Sequence, residues 1–114
     1  LWGTGTPLRE FLYVDDMADA CVFLLENYDG EQHVNIGTGK EVTIKQLAET
    51  VQKVVGFEGE IIWNTEMPNG TPRKLTDVTK LHSLGWTHKV DLEEGVQLAY
   101  DWFRENVDQA RGLM

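Results

Sequence analysis

The run from Met17 to about Asn27 constrains the fold more than any other stretch. Met17, Ala18, Ala20, Cys21, Val22, Phe23, Leu24 and Leu25 leave only Asp19 and Glu26 as charges. The expected helix is therefore apolar on nearly every face and must be buried on several sides. With 114 residues, the chain can build one compact core and is too short for two domains of ordinary size. A helix that needs covering all round, in so short a chain, is expected to find part of its cover elsewhere. The opening points the same way. Leu1, not Met, runs at once into the turn-forming Trp2-Gly3-Thr4-Gly5-Thr6-Pro7, so a piece of a longer protein is expected. Cys21, the single cysteine, has no internal disulfide partner and is expected to be buried as a small hydrophobe.

The other elements follow from period and punctuation. Leu8 to Val14 is rich in strand formers, and Asp15 and Asp16 are N-cap candidates for the apolar helix. His33-Val34-Asn35-Ile36 reads as a short strand ending in the glycine turn Gly37-Thr38-Gly39. Thr43 and Gln46 form a capping-box pair ahead of Ile44, Leu47, Ala48, Val51 and Val55, which share one helical face before Gly56. Glu60 to Trp63 predicts a strand, and 67–72 a long turn that leads to Arg73-Lys74. Asp77 is placed to cap a short helix that carries Val78, Leu81 and Leu84 and stops at Gly85. Asp91 and Glu94 open a last helix with Leu92, Val96, Ala99 and Phe103 on one face, and Asp108 to Met114 is expected to fray. Short strands alternating with about four helices make an α/β unit, a mixed α+β lobe whose strands are too few for a large sheet of their own.

Composition excludes several functions. A net charge of −9 argues against nonspecific nucleic-acid binding, which needs an extended basic surface. No apolar run approaches the roughly 20 residues of a membrane helix, and the N-terminal residues lack the basic and apolar regions of a signal peptide, so a cytoplasmic location is expected. Gly3-Thr4-Gly5 and Gly37-Thr38-Gly39 lack the G-x-G-x-x-G spacing and read as tight turns. His33, His82 and His88 are scattered, so no metal site is expected. No G-x-S-x-G elbow surrounds Ser83, and the acid pairs Asp15-Asp16 and Glu93-Glu94 sit at helix starts, where the dipole accounts for them.

Three features are harder to assign to structure alone: Trp2 in a polar loop, Arg9 among apolar strand residues, and Arg73-Lys74 after a glycine-proline turn. The Arg9 guanidinium needs a partner. Either it forms a salt bridge, with Asp15 or Asp77 as the available acids, or it meets a pyrophosphate, whose oxygens suit the arginine fork while a lysine adds a point charge.

These residues carry a resemblance that spans essentially the whole chain. Trp2-Gly3-Thr4-Gly5-Thr6-Pro7-Leu8-Arg9-Glu10-Phe11-Leu12, Val14-Asp15-Asp16-Met17-Ala18, Asn35-Ile36-Gly37-Thr38-Gly39, Gly70-Thr71-Pro72-Arg73-Lys74-Leu75, Asp77 and Leu84-Gly85-Trp86 resemble the C-terminal part of the GDP-L-fucose synthases. These are extended short-chain dehydrogenase/reductases that act on nucleotide sugars. The resemblance implies a full-length enzyme that turns GDP-4-keto-6-deoxy-D-mannose into GDP-L-fucose by two epimerisations and an NADPH-dependent reduction, as a homodimer. It also implies that the catalytic residues and the NADP(H) site lie in an N-terminal dinucleotide-binding domain absent from this chain. Residues 1–114 would then be one substrate-binding domain, inactive alone. What carries over is substrate binding, by Trp2, Arg9, Asn69, Arg73 and Lys74. Asn69 stands where these enzymes more often have an acid, and Tyr13 where they often have histidine. Two other readings remain open here: the substrate lobe of another nucleotide-sugar epimerase or dehydratase, and a stand-alone interaction module that presents the apolar helix to a protein partner.

Overall fold

A computed structural model of the chain describes residues 1–109. In chain order it has a two-residue strand β1 (Leu8–Arg9), helix α1 (Val14–Asn27), strand β2 (Val42–Thr43), and helices α2 (Ile44–Val55), α3 (Thr79–Leu84) and α4 (Leu92–Glu105). A single 3-10 turn follows at Val107–Gln109. The expected fraying of the tail concerns mainly 110–114, which lie outside the described residues.

The mixed α/β architecture is as expected, with less strand than the sequence suggested. β1 and β2 form an antiparallel pair, with Leu8 opposite Thr43 and Arg9 opposite Val42. The strand expected over Leu8–Val14 stops at Arg9 because helix α1 takes Val14, with Tyr13 at its N-cap. Asp15 and Asp16 are therefore first-turn residues and not the cap. The Asp16 carboxylate is buried and accepts the backbone N–H groups of Lys89 (3.1 Å) and Val90 (2.9 Å). That tie outweighs the local strand preference of Tyr13 and Val14. The strands expected at His33–Ile36 and Glu60–Trp63 form no ladder among the described residues; only a single bridge, Trp2 to Asn64, lies close to the second.

Helix α2 keeps its sequence signature in full. Thr43 Oγ1 accepts the Gln46 N–H, Gln46 Oε1 accepts the Thr43 N–H, and Gly56 closes the helix in the left-handed region at φ 72°. It packs on α4. Asp77 Oδ1 accepts from Thr79 N at 3.0 Å and Oγ1 at 2.7 Å, although the cap position itself falls on Val78. Asp91 does occupy the N-cap of α4, but its carboxylate makes no capping bond. It turns instead to His88 Nε2 at 2.9 Å and Lys40 Nζ at 3.4 Å.

The core is small. Ala20, Leu81 and Trp86 are buried, with Leu12, Phe23, Leu24, Val34 and Ile36 packed around them. Trp86 Nε1 donates to Asp19 Oδ2 at 2.9 Å, so α1 is held to the segment just after α3 by a polar bond as well as by apolar contact. The radius of gyration is 16.6 Å, against about 13 Å for a compact domain near this length. The far side of α1 is uncovered. Cys21, expected to be buried, is exposed there, because α1 finds neighbours on one side only.

Candidate functional site

The site grows from the N-terminal turn, which is laid between two other segments. Pro7 C=O accepts from Ile44 N and Gly5 C=O from Lys45 N, both at 3.0 Å, which fixes the turn to the start of α2. On the other side, Gly3 N donates to Asn64 C=O and Leu8 N to Pro72 C=O, both at 2.9 Å, and Leu8 bridges Arg73 in parallel. Gly3 has φ 79°, and a Cβ there would lie 2.0 Å from Asn69 Oδ1. The close approach of residues 3 and 69 therefore needs glycine twice over, for conformation and for space.

Arg9 sits in the middle of this ribbon. Its Nη1 donates to two carbonyl oxygens, Leu8 at 2.7 Å and Thr71 at 2.5 Å. Its Nη2 lies 3.0 Å from where a Cβ on Gly70 would stand. Among the described residues no carboxylate comes within ion-pair distance, so neither Asp15 nor Asp77 is its partner. The guanidinium is half-buried and held by two carbonyl dipoles, with no ion pair among the described residues. A fixed cation with Nε and Nη2 unspent is suited to an anion with paired oxygens.

The adjacent acid does not neutralise it. Glu10 Oε1 accepts from Thr76 N at 2.8 Å, and Oε2 accepts from Gly39 N at 2.9 Å and Thr38 Oγ1 at 3.5 Å. Burial acts to raise the Glu10 carboxyl, but the bonds from Thr76, Gly39 and Thr38 outweigh it and hold it below the usual carboxylate range. Successive residues of an extended segment face opposite sides. Glu10 thus ties the 37–39 turn and residue 76 together while Arg9 faces the other way. Its structural role could not be read from the motif, where it appears only as the acid between Arg9 and Phe11.

The other expected site residues divide. Asn69 is stapled to Thr4, with Oδ1 accepting the Thr4 N–H at 2.9 Å and Nδ2 donating to Thr4 Oγ1 at 3.1 Å. Trp2, two residues before Thr4, is 65% exposed. Lys74 is exposed and makes no ion pair among the described residues. Arg73 is gripped by Glu41, whose two carboxylate oxygens accept its Nε, each at 2.9 Å, while Nη2 makes a further contact. Since Arg73 pairs with Leu8 and Arg9 with Val42, alternation puts the two arginines on opposite faces of the ribbon. The structure therefore brings the segments of Arg9, Asn69, Arg73 and Lys74 together, with Arg73 already engaged by an acid that the sequence reading did not single out. Among the described residues no group of His, Cys, Asp and Glu could hold a metal ion, and no helix is long and apolar enough to cross a membrane.

Residues 1–37 match the NAD dependent epimerase/dehydratase family. Over 107 residues, 94% of this chain and 33% of the relative, the sequence is 64% identical to GDP-L-fucose synthase 1 of Arabidopsis thaliana. Against GDP-L-fucose synthase of Escherichia coli (strain K12) the identity is 48%, covering 98% of this chain and 38% of that protein. The chain is thus similar, over nearly its whole length, to GDP-L-fucose synthases. It spans about a third of the length of these relatives and matches their C-terminal part. The crystal structure of a GDP-L-fucose synthetase from Naegleria fowleri bound to NADP superposes with a TM-score of 0.91 at 29% identity, covering 97% of this chain and 36% of that one.

Proposed function

We propose that this chain is the nucleotide-facing wall of an NADP(H)-dependent GDP-L-fucose synthase, a single substrate-binding domain that works against a separate dinucleotide-binding domain. The observation that carries the reading is Arg9, a half-buried guanidinium held by two carbonyl oxygens with no carboxylate at ion-pair distance among the described residues. A pyrophosphate supplies the missing anion, with Nε and Nη2 as donors. Lys74 adds a point charge to the rim. Trp2 offers an exposed ring face, and base-on-aromatic stacking is worth about 1–3 kcal/mol. Asn69, stapled to Thr4, sets the shape of the rim and keeps the second lone pair of its Oδ1 for the ligand. Arg73, expected as a ligand donor, is clamped by Glu41 on the opposite face of the ribbon and is left to hold the ribbon's shape.

Holding GDP here fixes the sugar for chemistry done elsewhere, so the chain contributes orientation and binding energy remote from the reacting carbons. The substrate is GDP-4-keto-6-deoxy-D-mannose, epimerised twice beside its ketone and then reduced by NADPH, in a homodimeric, cytoplasmic enzyme. Similarity to the sequences of named fucose synthases supports this choice of sugar. A second reading keeps GDP and changes the sugar: the structure of a GDP-6-OMe-4-keto-L-xylo-heptose reductase from C. jejuni is 40% identical over 92% of this chain, with a TM-score of 0.85.

Titration with GDP, followed by nitrogen-edited NMR, tests the nucleotide assignment. Saturable shifts centred on the Trp2 indole N–H, the Arg9 Nε–H and the Lys74 backbone are expected in the full-length enzyme. GDP binding that leaves all three unmoved would contradict it. Turnover of the fucose precursor in preference to a heptose precursor separates the two sugars.

A further inference from the structure

The rim role of Asn69 uses only its Oδ1 and leaves the reactivity of its carboxamide carbon unspent. Asn69 and Gly70 lie together on an exposed turn. In an asparagine followed by glycine, the next backbone nitrogen reaches the side-chain carbon most readily, because no Cβ hinders its approach. Asn69 is the one asparagine so placed. Asn27, Asn35, Asn64 and Asn106 are followed by tyrosine, isoleucine, threonine and valine.

The surroundings of this pair favour the attack at each atom it involves. Among the described residues the Gly70 N–H donates no hydrogen bond, so the nucleophile is uncommitted. Thr4 N–H donates at 2.9 Å to Asn69 Oδ1, the oxygen that gains negative charge when Cγ is attacked. Thr4 Oγ1 stands 3.1 Å from Asn69 Nδ2, the nitrogen that must leave, and 2.8 Å from Thr6 Oγ1. Two hydroxyls are thus in line to hand that nitrogen a proton. Arg9 Nη2 lies 3.0 Å from where a Cβ on Gly70 would stand. The guanidinium, pinned by two carbonyls, disfavours a larger residue at 70, and its charge favours the deprotonated amide that attacks.

We propose that Asn69-Gly70 is a self-modifying site, at which the folded protein converts its own asparagine through a cyclic imide to aspartate and isoaspartate. Gly70 N gives up its proton and bonds to Asn69 Cγ. The Cγ–Nδ2 bond breaks, and Nδ2 leaves as ammonia with that proton, passed through the Thr4 hydroxyl. Solvent water then opens the ring at one of its two carbonyls. Opening at Cγ gives aspartate, and opening at the main-chain carbonyl of residue 69 gives isoaspartate. No oxidant or reductant takes part. Either product adds one negative charge to the rim of the arginine cradle. Aspartate keeps an oxygen for the Thr4 N–H, so the staple survives; isoaspartate lengthens the main chain by a methylene and takes the carboxylate off Thr4. Every group in the reaction except water belongs to this chain, so the inference stands apart from the nucleotide assignment.

The test follows the purified full-length protein at neutral pH and physiological temperature, folded and in urea. Peptide mass reads the conversion at each asparagine, and chromatography separates the aspartate and isoaspartate forms of the Asn69 peptide. Asn69 should convert faster than the other four asparagines, and faster in the folded protein than in the unfolded one. Thr4→Val and Arg9→Ala should each slow it by about 2- to 10-fold, the scale of one hydrogen bond or one exposed charge contact. Thr4→Ser, which keeps the hydroxyl, should convert at the parent's rate. The comparison of folded and unfolded parent needs no variant and stands even if a substitution disturbs the turn. Conversion of Asn69 that is no faster than at the other asparagines, or that quickens in urea or in Thr4→Val, would overturn the proposal, since the staple would then be guarding the carboxamide.

Discussion

Replacing Arg9 with alanine removes a cation that the fold has positioned but not neutralised. Nη1 is committed to Leu8 and Thr71 C=O at 2.7 and 2.5 Å, which leaves Nε and Nη2 for a phosphate. A hydrogen bond to a charged group contributes about 1.5–3 kcal/mol. Two bonds are lost, but Lys74 stays on the neighbouring segment and water can solvate an open rim. The net loss should therefore be near that of one such bond, about 10- to 150-fold in Kd. Arg9→Lys should recover little of it, since an ammonium keeps the charge but cannot bond two carbonyls and two phosphate oxygens in one plane. Isothermal calorimetry of GDP binding to the full-length enzyme reads the effect directly. The two freed carbonyls can turn to water, so thermal stability should change little and serves as the control. An Arg9→Ala enzyme that binds GDP with the parent's Kd would refute the role given to this residue.

Two further perturbations address the frame around the site. Gly3→Ala places a methyl 2.0 Å from Asn69 Oδ1 at a φ of 79°; the left-handed backbone alone costs about 1–2 kcal/mol. Thermal denaturation should show a drop of roughly 5 °C or more, and an unchanged midpoint would contradict the stapled geometry of Thr4 and Asn69. Glu10 has a folded-state pKa held below its ordinary 4.5. Its contribution to stability is complete above that value and is lost as pH falls through the lower, folded-state one. Glu10→Gln should lower the urea midpoint at neutral pH and lose less of it on acidification toward about pH 3 than the parent does. Asp19, Asp77 and Asp91 are shifted in the same direction, so the acid limb should be reduced and not abolished. Parallel acid limbs for variant and parent would contradict the knot at Glu10.

What was legible in the sequence was what is encoded locally. Helix α2 has its cap, its apolar period and its stop within a few residues of one another, and the structure reproduces all three. The helical character of α1 was legible too, and so was its need for cover. The exposure of Cys21 was not, since it depends on which neighbours are present. Val34 and Ile36 show the alternation of a strand, but a ladder needs a partner, and alternation cannot supply one. Glu41 and Arg73 lie 32 residues apart with no pattern linking them, so their clamp emerges only when β1 is laid between β2 and the 72–73 segment. The isolation of Arg9 from carboxylates is of the same kind: a property of distances across the fold, invisible in the order of residues.

The central claim is that nucleotide-sugar chemistry requires this chain and a dinucleotide-binding part together. The most direct measurement is the oxidation of NADPH, followed by absorbance, with GDP-4-keto-6-deoxy-D-mannose and each part alone or combined. The account predicts turnover by the combination, none by this chain alone, and a strong reduction at subsaturating substrate when the chain carries Arg9→Ala. Turnover by the chain alone, or a combination that forms and still fails to reduce the keto sugar, would contradict it.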